Sequence, residues 1–286
     1  MQAIKSNIDY QLLDLGNFRK LERFGKTIVD RPEIKAIKRP NLAKDEWKKA
    51  DWHFFEQKGK KGIWTSNSNA EKKWKIPYRD GKHQFQFQLK ITGFKHLGIF
   101  PEQAENWEFI TERLRAIQGE KHVLNLFAYT GAASVIAAKS GAVVSHVDSI
   151  KQIIQWGKEN AALNGVDNIR WIQEDAKKYV ARGLRRNESY QGIIMDPPAF
   201  GFGPNNEKWK LENDLPDLID SALRLLDPKN HFFLLNTYSP RTKNLDLDPI
   251  FKKFAVNPKQ YQNQTLEVQS KQFQKLSTGN LIRFWR

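Results

Sequence analysis

From about residue 104 onward the chain alternates short apolar runs with stretches of helical spacing, and this rhythm restricts its fold more than any other feature. Over Ala104–Ile117, the residues Trp107, Ile110, Leu114 and Ile117 fall on one helical face. The pattern then predicts strands at Val123–Phe127, Val143–Val147, Ile169–Gln173, Gly192–Met195 and Phe232–Asn236. Helices are predicted between them at Ala132–Lys139, Ile150–Leu163, Ala176–Leu184 and Leu215–Leu226. Strands separated by helices of this length form right-handed βαβ units, and so a mostly parallel sheet. Leu266–Gln269 and Leu281–Trp285 have no comparable helix between them and read as a terminal antiparallel hairpin. The expectation is an α/β domain over residues 96–286.

Residues 1–95 read differently, as a small β-rich domain. Short runs at Tyr10–Leu15, Lys26–Val29, Trp52–Phe55, Gly62–Thr65 and Lys73–Pro77 are broken by Gly, Asn, Asp and Pro. Gln84–Ile91 alternates polar and apolar residues, the period of a half-buried strand. Pro32, Pro40 and the Lys58–Lys61 cluster mark loops or edges. Charge is concentrated here: residues 1–90 hold 21 basic and 11 acidic side chains, within a chain of formal charge +15. Four of the nine tryptophans (Trp47, Trp52, Trp64 and Trp74) lie in the same stretch. Cations displace phosphate counterions and ring faces stack on bases, so this composition favours a nucleic-acid partner over solvated lysines and core tryptophans. No apolar run approaches the roughly 20 residues of a membrane span, and Met1–Ser6 has no apolar signal region. A cytoplasmic protein without membrane contact is expected. With no cysteine there is no disulfide, no thiolate metal site and no thiol nucleophile, and no metal is expected.

Ligands of open α/β sheets bind beyond the carboxyl ends of the strands, where the strand order reverses. The first predicted strand runs through Asn125 into Phe127-Ala128-Tyr129-Thr130-Gly131 and a small-residue helix start. Gly131 permits close backbone approach, but a single glycine does not make a pyrophosphate cradle. Seventeen residues later the second strand ends in Asp148-Ser149, with a carboxylate placed to accept ribose hydroxyls. The third ends in Asp175-Ala176, where Asp175 either accepts from an adenine amine or caps the next helix. Together, in order after a glycine loop, they point to an adenosine ligand. The fourth strand leads into Asp196-Pro197-Pro198-Ala199-Phe200. Prolines lack an N–H and cannot continue the ladder. Their carbonyls are expected to stand unpaired beside the Asp196 carboxylate and the Phe200 ring, a set that holds an exocyclic amine while stacking on its base.

Asp-Pro-Pro-x-Phe after this strand resembles the D/N-P-P-Y/F motif of class I S-adenosylmethionine methyltransferases that act on nitrogen. More closely, residues from about 94 onward resemble the ribosomal-RNA large-subunit methyltransferase-like family. The resemblance is carried by Gly98-Ile99-Phe100-Pro101-Glu102-Gln103, Asn125–Gly131, Asp148, Arg185-Arg186 before Tyr190, and Asp196–Phe200 with Gly201, Gly203, Pro204 and Trp209–Glu212. Asn236-Thr237-Tyr238-Ser239 and Gly279–Trp285 extend it. It implies a Rossmann-like methyltransferase sheet, S-adenosylmethionine as cofactor, an RNA substrate, and cofactor contacts from Phe100 and Gln103. Cofactor-binding residues are then expected at Phe100, Gln103, Asn125, Phe127, Tyr129, Thr130, Gly131, Asp148, Ser149, Asp175, Ala176 and Asp196. Asp196, Pro197, Pro198 and Phe200 are expected to handle the methyl acceptor.

Two departures narrow the reading. Asn125 stands where many methyltransferases carry an acid, so the loop lacks that charge. Relatives that methylate cytosine C5 attack C6 with a thiolate, and this chain offers none. Nitrogen of an RNA base is the favoured acceptor. A nicotinamide oxidoreductase is disfavoured by the single-glycine loop and by Asp-Pro-Pro. A non-catalytic RNA-binding module on the same fold, or methyl transfer to a non-RNA substrate, is the alternative.

Overall fold

A computed structural model describes residues 7–57, 62–66, 69–238, 245, 247–254 and 257–286; Met1–Ser6, Lys58–Lys61 and Ser239 lie outside these residues. The chain divides into two units, Met1–Glu105 with Glu267–Thr278, and Asn106–Leu266 with Gly279–Arg286. Among the described residues no helix is long and apolar enough to cross a membrane.

The first unit is built on strands β1 (Tyr10–Gly16), β2 (Arg19–Phe24), β3 (Thr27–Pro32), β4 (Trp52–Glu56) and β5 (Gly62–Ser66). They form one sheet in sequence order, antiparallel except between β3 and β4. A short helix α1 (Lys44–Lys48) precedes β4, and β6 (Lys73–Arg79) pairs with β7 (Gln84–Lys90) as a separate antiparallel ribbon. β2 and α1 went unread in the sequence because charged Arg19-Lys20 and Lys44-Asp45-Glu46 hide their apolar positions. In β7 the alternation holds at Phe85 and Phe87, both buried.

Two tryptophans of this unit, Trp47 and Trp52, are core residues. Trp47 and Trp52 are buried, and the Trp47 indole N–H donates to Asp14 at 3.1 Å. Trp64 and Trp74 donate to the backbone carbonyls of Phe94 and Phe24. Trp47 and Trp52 therefore serve the unit's own packing, while Trp64 and Trp74 are half-buried with their N–H groups held internally. The buried Arg31–Glu22 pair, 2.6 Å apart, also accepts the Tyr10 hydroxyl on Glu22 at 3.0 Å. Arg31 holds the Glu22 carboxyl below its ordinary range although burial opposes this.

The second unit follows helix α2 (Ala104–Ala116) with β8 (His122–Leu126), α3 (Ala132–Lys139), β9 (Val143–Asp148), α4 (Lys151–Leu163), β10 (Ile169–Gln173), α5 (Ala176–Arg185) and β11 (Gly192–Met195). After β11 come β12 (Phe200–Phe202), β13 (Lys208–Lys210), α6 (Leu211–Leu223), β14 (Phe232–Thr237), α7 (Asp248–Lys253), β15 (Tyr261–Gln269) and β16 (Lys275–Trp285). The main sheet runs β10-β9-β8-β11-β14-β16-β15. Its first five strands are parallel, and β16 runs antiparallel to β14. β11 is buried at all four positions and β14 at all six, as central strands covered on both faces require.

Two differences from the sequence reading concern the segment after β11. A small hairpin, β12–β13, was not anticipated, because three-residue strands are too short to show a period. Helix α6 begins at Leu211, four residues before the predicted Leu215, and carries Pro216 inside it. Asp214 explains the early start: its carboxylate accepts the amide of the cap residue Lys210 at 2.7 Å and so closes the first turn.

Candidate active site

The strand order reverses between β8 and β11, and the register aligns their ends. Leu126 pairs with Val147 on one side and with Met195 on the other, while Met195 pairs with Leu235. The next residue of each strand therefore falls in one row, Asp148, Phe127, Asp196 and Asn236. At one strand spacing per step, Asp148 and Asp196 stand roughly 10 Å apart.

The loop after β8 is held in an uncommon backbone form. Phe127 (φ 55°), Tyr129 (φ 51°) and Gly131 (φ 81°) all take left-handed conformations, sparsely populated by the two aromatic residues. Compensating bonds fix them. The Ala128 amide donates to Val147 at 3.1 Å, and the Tyr129 amide donates to Asp148 Oδ2 at 2.9 Å. Asn160 holds the Thr130 carbonyl at 2.9 Å. The Thr130 side chain is buried, so this residue shapes the loop from within. A β-carbon on Gly131 would meet His146, Gly157 and Trp171 only at ordinary contact distance, so it is the backbone conformation that calls for glycine here.

Asn125 is buried, and its Nδ2 donates to Ser134 Oγ at 2.9 Å. Ser134 Oγ lies 3.0 Å from His146 Nδ1. Burial drives the His146 pKa down to about 3. The imidazole is therefore neutral, and its Nδ1 shares a hydrogen bond with the Ser134 hydroxyl. The uncharged Asn125 is suited to a site whose neighbours are also neutral.

Asp148 completes the loop. Its Oδ2 takes the Tyr129 amide and its Oδ1 takes the Ile150 amide at 3.0 Å, and the Ser149 amide also acts on the carboxylate, which still has room for a further donor. Burial raises its pKa above the usual aspartate value, although the amide bonds oppose the shift. Ser149 follows, half-buried, with its carbonyl accepting from Gln173. Asp175 is nearly buried and caps α5, accepting the Lys178 amide at 3.0 Å, which is one of the two roles open to it. Ala176 opens that helix and is buried.

Asp196 is half-buried at the end of β11 and accepts from Asn236 Nδ2 at 3.4 Å. The Asn236 Oδ1 is buried and has no hydrogen-bond partner among the described residues. The prolines do not behave alike. Pro198 is exposed, yet its carbonyl accepts the Trp209 indole N–H at 2.6 Å, so it does not stand unpaired as expected. The donor lies eleven residues on, across the hairpin that the sequence reading missed. Pro197 is buried, and Phe200 is 47% exposed.

Phe100 and Gln103 belong to the first unit, flanking the single turn Pro101–Gln103. The Phe100 ring lies 5.3 Å from that of His96. Their cofactor contacts rest on the resemblance.

The donor set fits an adenosine-bearing ligand. It combines a glycine turn into a helix, a carboxylate with spare lone pairs at the second strand end, and a helix N-terminus at the third. A five-strand parallel sheet with its reversal between β8 and β11, closed by an antiparallel pair, is the class I methyltransferase arrangement. The chain belongs to the S-adenosylmethionine-dependent methyltransferase family, whose model matches residues 62–231.

Among its relatives is the ribosomal RNA large subunit methyltransferase K/L of Shewanella frigidimarina (strain NCIMB 400). It is 31% identical over 169 residues, which make up 58% of this chain and 23% of that protein. The protein of that name from Pseudoalteromonas atlantica is 32% identical over 154 residues, 53% of this chain and 21% of its own length. The match thus takes in less than a quarter of these relatives. The crystal structure of the SAM-dependent methyltransferase from Agrobacterium tumefaciens superposes with a TM-score of 0.89 at 34% identity, covering 96% of this chain and 90% of that one. The structure of SMU.776 complexed with SAH has a TM-score of 0.72 over 98% of this chain and 76% of its own, at 19% identity, a likeness of fold alone.

Proposed function

We propose that this chain transfers a methyl group to a base nitrogen of RNA, without a covalent enzyme intermediate. The observation that carries the reading is the row formed by Asp148, Phe127, Asp196 and Asn236, with Asp196-Pro197-Pro198 leading to an exposed Phe200. The names of the relatives, ribosomal RNA methyltransferases, support an RNA acceptor.

Asp148 would accept the ribose hydroxyls, and Phe127, Tyr129, Thr130 and Gly131 would shape the loop beneath the ligand. Ser149, Asp175 and Ala176 would border the adenine, the Ala176 amide being one of the free donors at the start of α5. Phe100, Gln103 and Asn125 complete the proposed cofactor set, Asn125 through the helix α3 residue Ser134 that it bonds. When bound, S-adenosylmethionine supplies a methyl group on a positively charged sulfur, already activated for displacement. The protein's task is then to hold a nitrogen lone pair in line with that methyl group. Such orientation is worth up to about 7–11 kcal/mol. Asp196 and the Pro197 carbonyl would accept the N–H groups of the acceptor amine while Phe200 stacks on its ring. Pro198 contributes by fixing the hairpin through Trp209. With no thiolate in the chain, the covalent cytosine-C5 route has no nucleophile here.

Tritiated methyl transfer from S-adenosylmethionine to RNA of a strain lacking the gene tests this reading. Label on one nucleotide, mapped to a base nitrogen, is the expected result. Label on carbon, or none on RNA from the deletion strain, overturns it.

A further inference from the structure

The hairpin β12–β13 follows the acceptor prolines directly. Its register pairs Phe200 with Lys210, Gly201 with Trp209, and Phe202 with Lys208. Cross-strand partners and alternate residues share a face. One face therefore carries Phe200, Phe202, Lys208 and Lys210, and the other carries Trp209.

The two faces differ sharply. Trp209 is buried, its ring is 4.9 Å from that of Phe127, and its N–H is bonded to Pro198. Phe200 and Phe202 are 47% and 55% exposed. Their rings stand edge to face, with centroids 5.1 Å apart and planes at 87°, so each leaves a flat face open. Both lysines are exposed. Nearby Lys177 and Lys178 are paired with Asp214 and Glu207, whereas Lys208 and Lys210 make no ion pair among the described residues. Glu207 and Asp214 thus hold the hairpin to α5 and the start of α6; Asp214 also feels the Lys210 charge, but neither outer lysine is tied down by an ion pair among the described residues.

Two exposed rings on a rigid ribbon sacrifice burial that the chain could otherwise gain. Two exposed lysines on the same face as the rings argue against an apolar protein partner. Aromatic faces interleaved with lysines match a single strand of nucleic acid, where bases stack and phosphates are neutralised.

We infer that the outer face of the β12–β13 hairpin is a docking platform for single-stranded RNA, in which Phe202 stacks on a nucleotide beside the target base and Lys208 and Lys210 neutralise flanking phosphates. The inference rests on the RNA reading above and adds three residues to it. It also implies an unpaired acceptor, since stacked duplex bases cannot reach either ring.

The test is binding of a fluorescein-labelled single-stranded RNA oligonucleotide, and of its duplex form, to the full chain. Calorimetric binding of S-adenosylhomocysteine serves as the check on folding. Phe202→Ala should weaken single-strand binding about 10-fold or more and Phe202→Tyr should restore it, with cofactor affinity unchanged in both. Lys208→Gln with Lys210→Gln should lower the salt slope of log Kd by about 1.4, two phosphates at about 0.7 each. Duplex binding should be weaker and indifferent to Phe202→Ala. If the wild type binds single-stranded RNA and Phe202→Ala binds it equally well, the platform is wrong while the RNA reading stands. If the wild type binds neither form and labels no RNA, both fall. Wild-type binding without any salt dependence would mean that no phosphate is neutralised by Lys208 and Lys210 and would overturn the platform.

Discussion

The amide of Tyr129 donates to the carboxylate of Asp148 at 2.9 Å, tying the loop after β8 to the end of β9. One oxygen thereby braces a left-handed tyrosine that would otherwise be strained. The proposed ribose contact would add recognition to that support. Asp148→Ala should weaken S-adenosylhomocysteine binding about 10- to 100-fold, the worth of hydrogen bonds to a charged acceptor. Isothermal calorimetry measures this, and equal affinities would remove Asp148 from the ligand site. The wild type should also lose affinity on acidification at a midpoint above the usual aspartate value, because burial raises the Asp148 pKa.

Asn236 and Asp196 are neighbours in the same row, and Asn236 is fully buried. Asn236→Asp would set a second carboxylate beside the first, and like charges make such a pair hold a proton to higher pH. The rate profile of the variant should shift its acidic limb upward by one unit or more, with cofactor affinity retained. An unmoved limb would mean that Asp196 does not titrate in the rate-limiting step.

Gly157 in α4 lies under the indole of Trp171; a β-carbon there would sit 2.6 Å from Trp171 Cζ3. Gly157→Ala should cost about 1–3 kcal/mol by overpacking. Trp171→Leu in the same chain should return part of that loss. Denaturant unfolding of the two single variants and the double variant measures the coupling. Additive losses would show that the contact carries no strain.

His146 gives a stability prediction with a definite sign. Its folded pKa is about 3 against an ordinary 6.5, so below pH 6.5 the unfolded state binds a proton that the folded state refuses. Stability must fall with pH across that window, by up to about 1.4 kcal/mol per unit from this group alone. His146→Asn should flatten the slope of unfolding free energy between pH 4 and 6 by nearly one proton, whatever it does to stability at pH 8. An unchanged slope would mean that His146 is not buried as a neutral ring.

The sheet was legible because Leu124, Val144, Ile193 and Phe233 sit in runs whose period and spacing belong to one fold. The strand-end carboxylates were legible for the same reason, since a strand's end is where its apolar run stops. Contacts made across distant loops were not. Nothing local joins Pro198 to Trp209, and Trp209 reads equally well as an ordinary core residue. The relay from Asn125 through Ser134 to His146 spans two strands and a helix that only the fold brings together. Trp47 and Trp52 show the converse: composition records that an indole is present, not that it is buried.

The terminal hairpin carries one more consequence. Residues Glu267–Thr278 at its tip belong to the first unit, and the strand that leaves it, β16, ends within the second. Gln274 on that tip bonds both the amide and the carbonyl of Leu15, and Leu276 packs with Leu12 and Leu15. The first unit is therefore not a cassette. A gene fragment stopping at residue 105 would encode a sheet stripped of its far-downstream brace, and grafting that fragment onto another enzyme would transfer an incomplete fold. Any shuffling of this architecture has to move both ends of the chain at once.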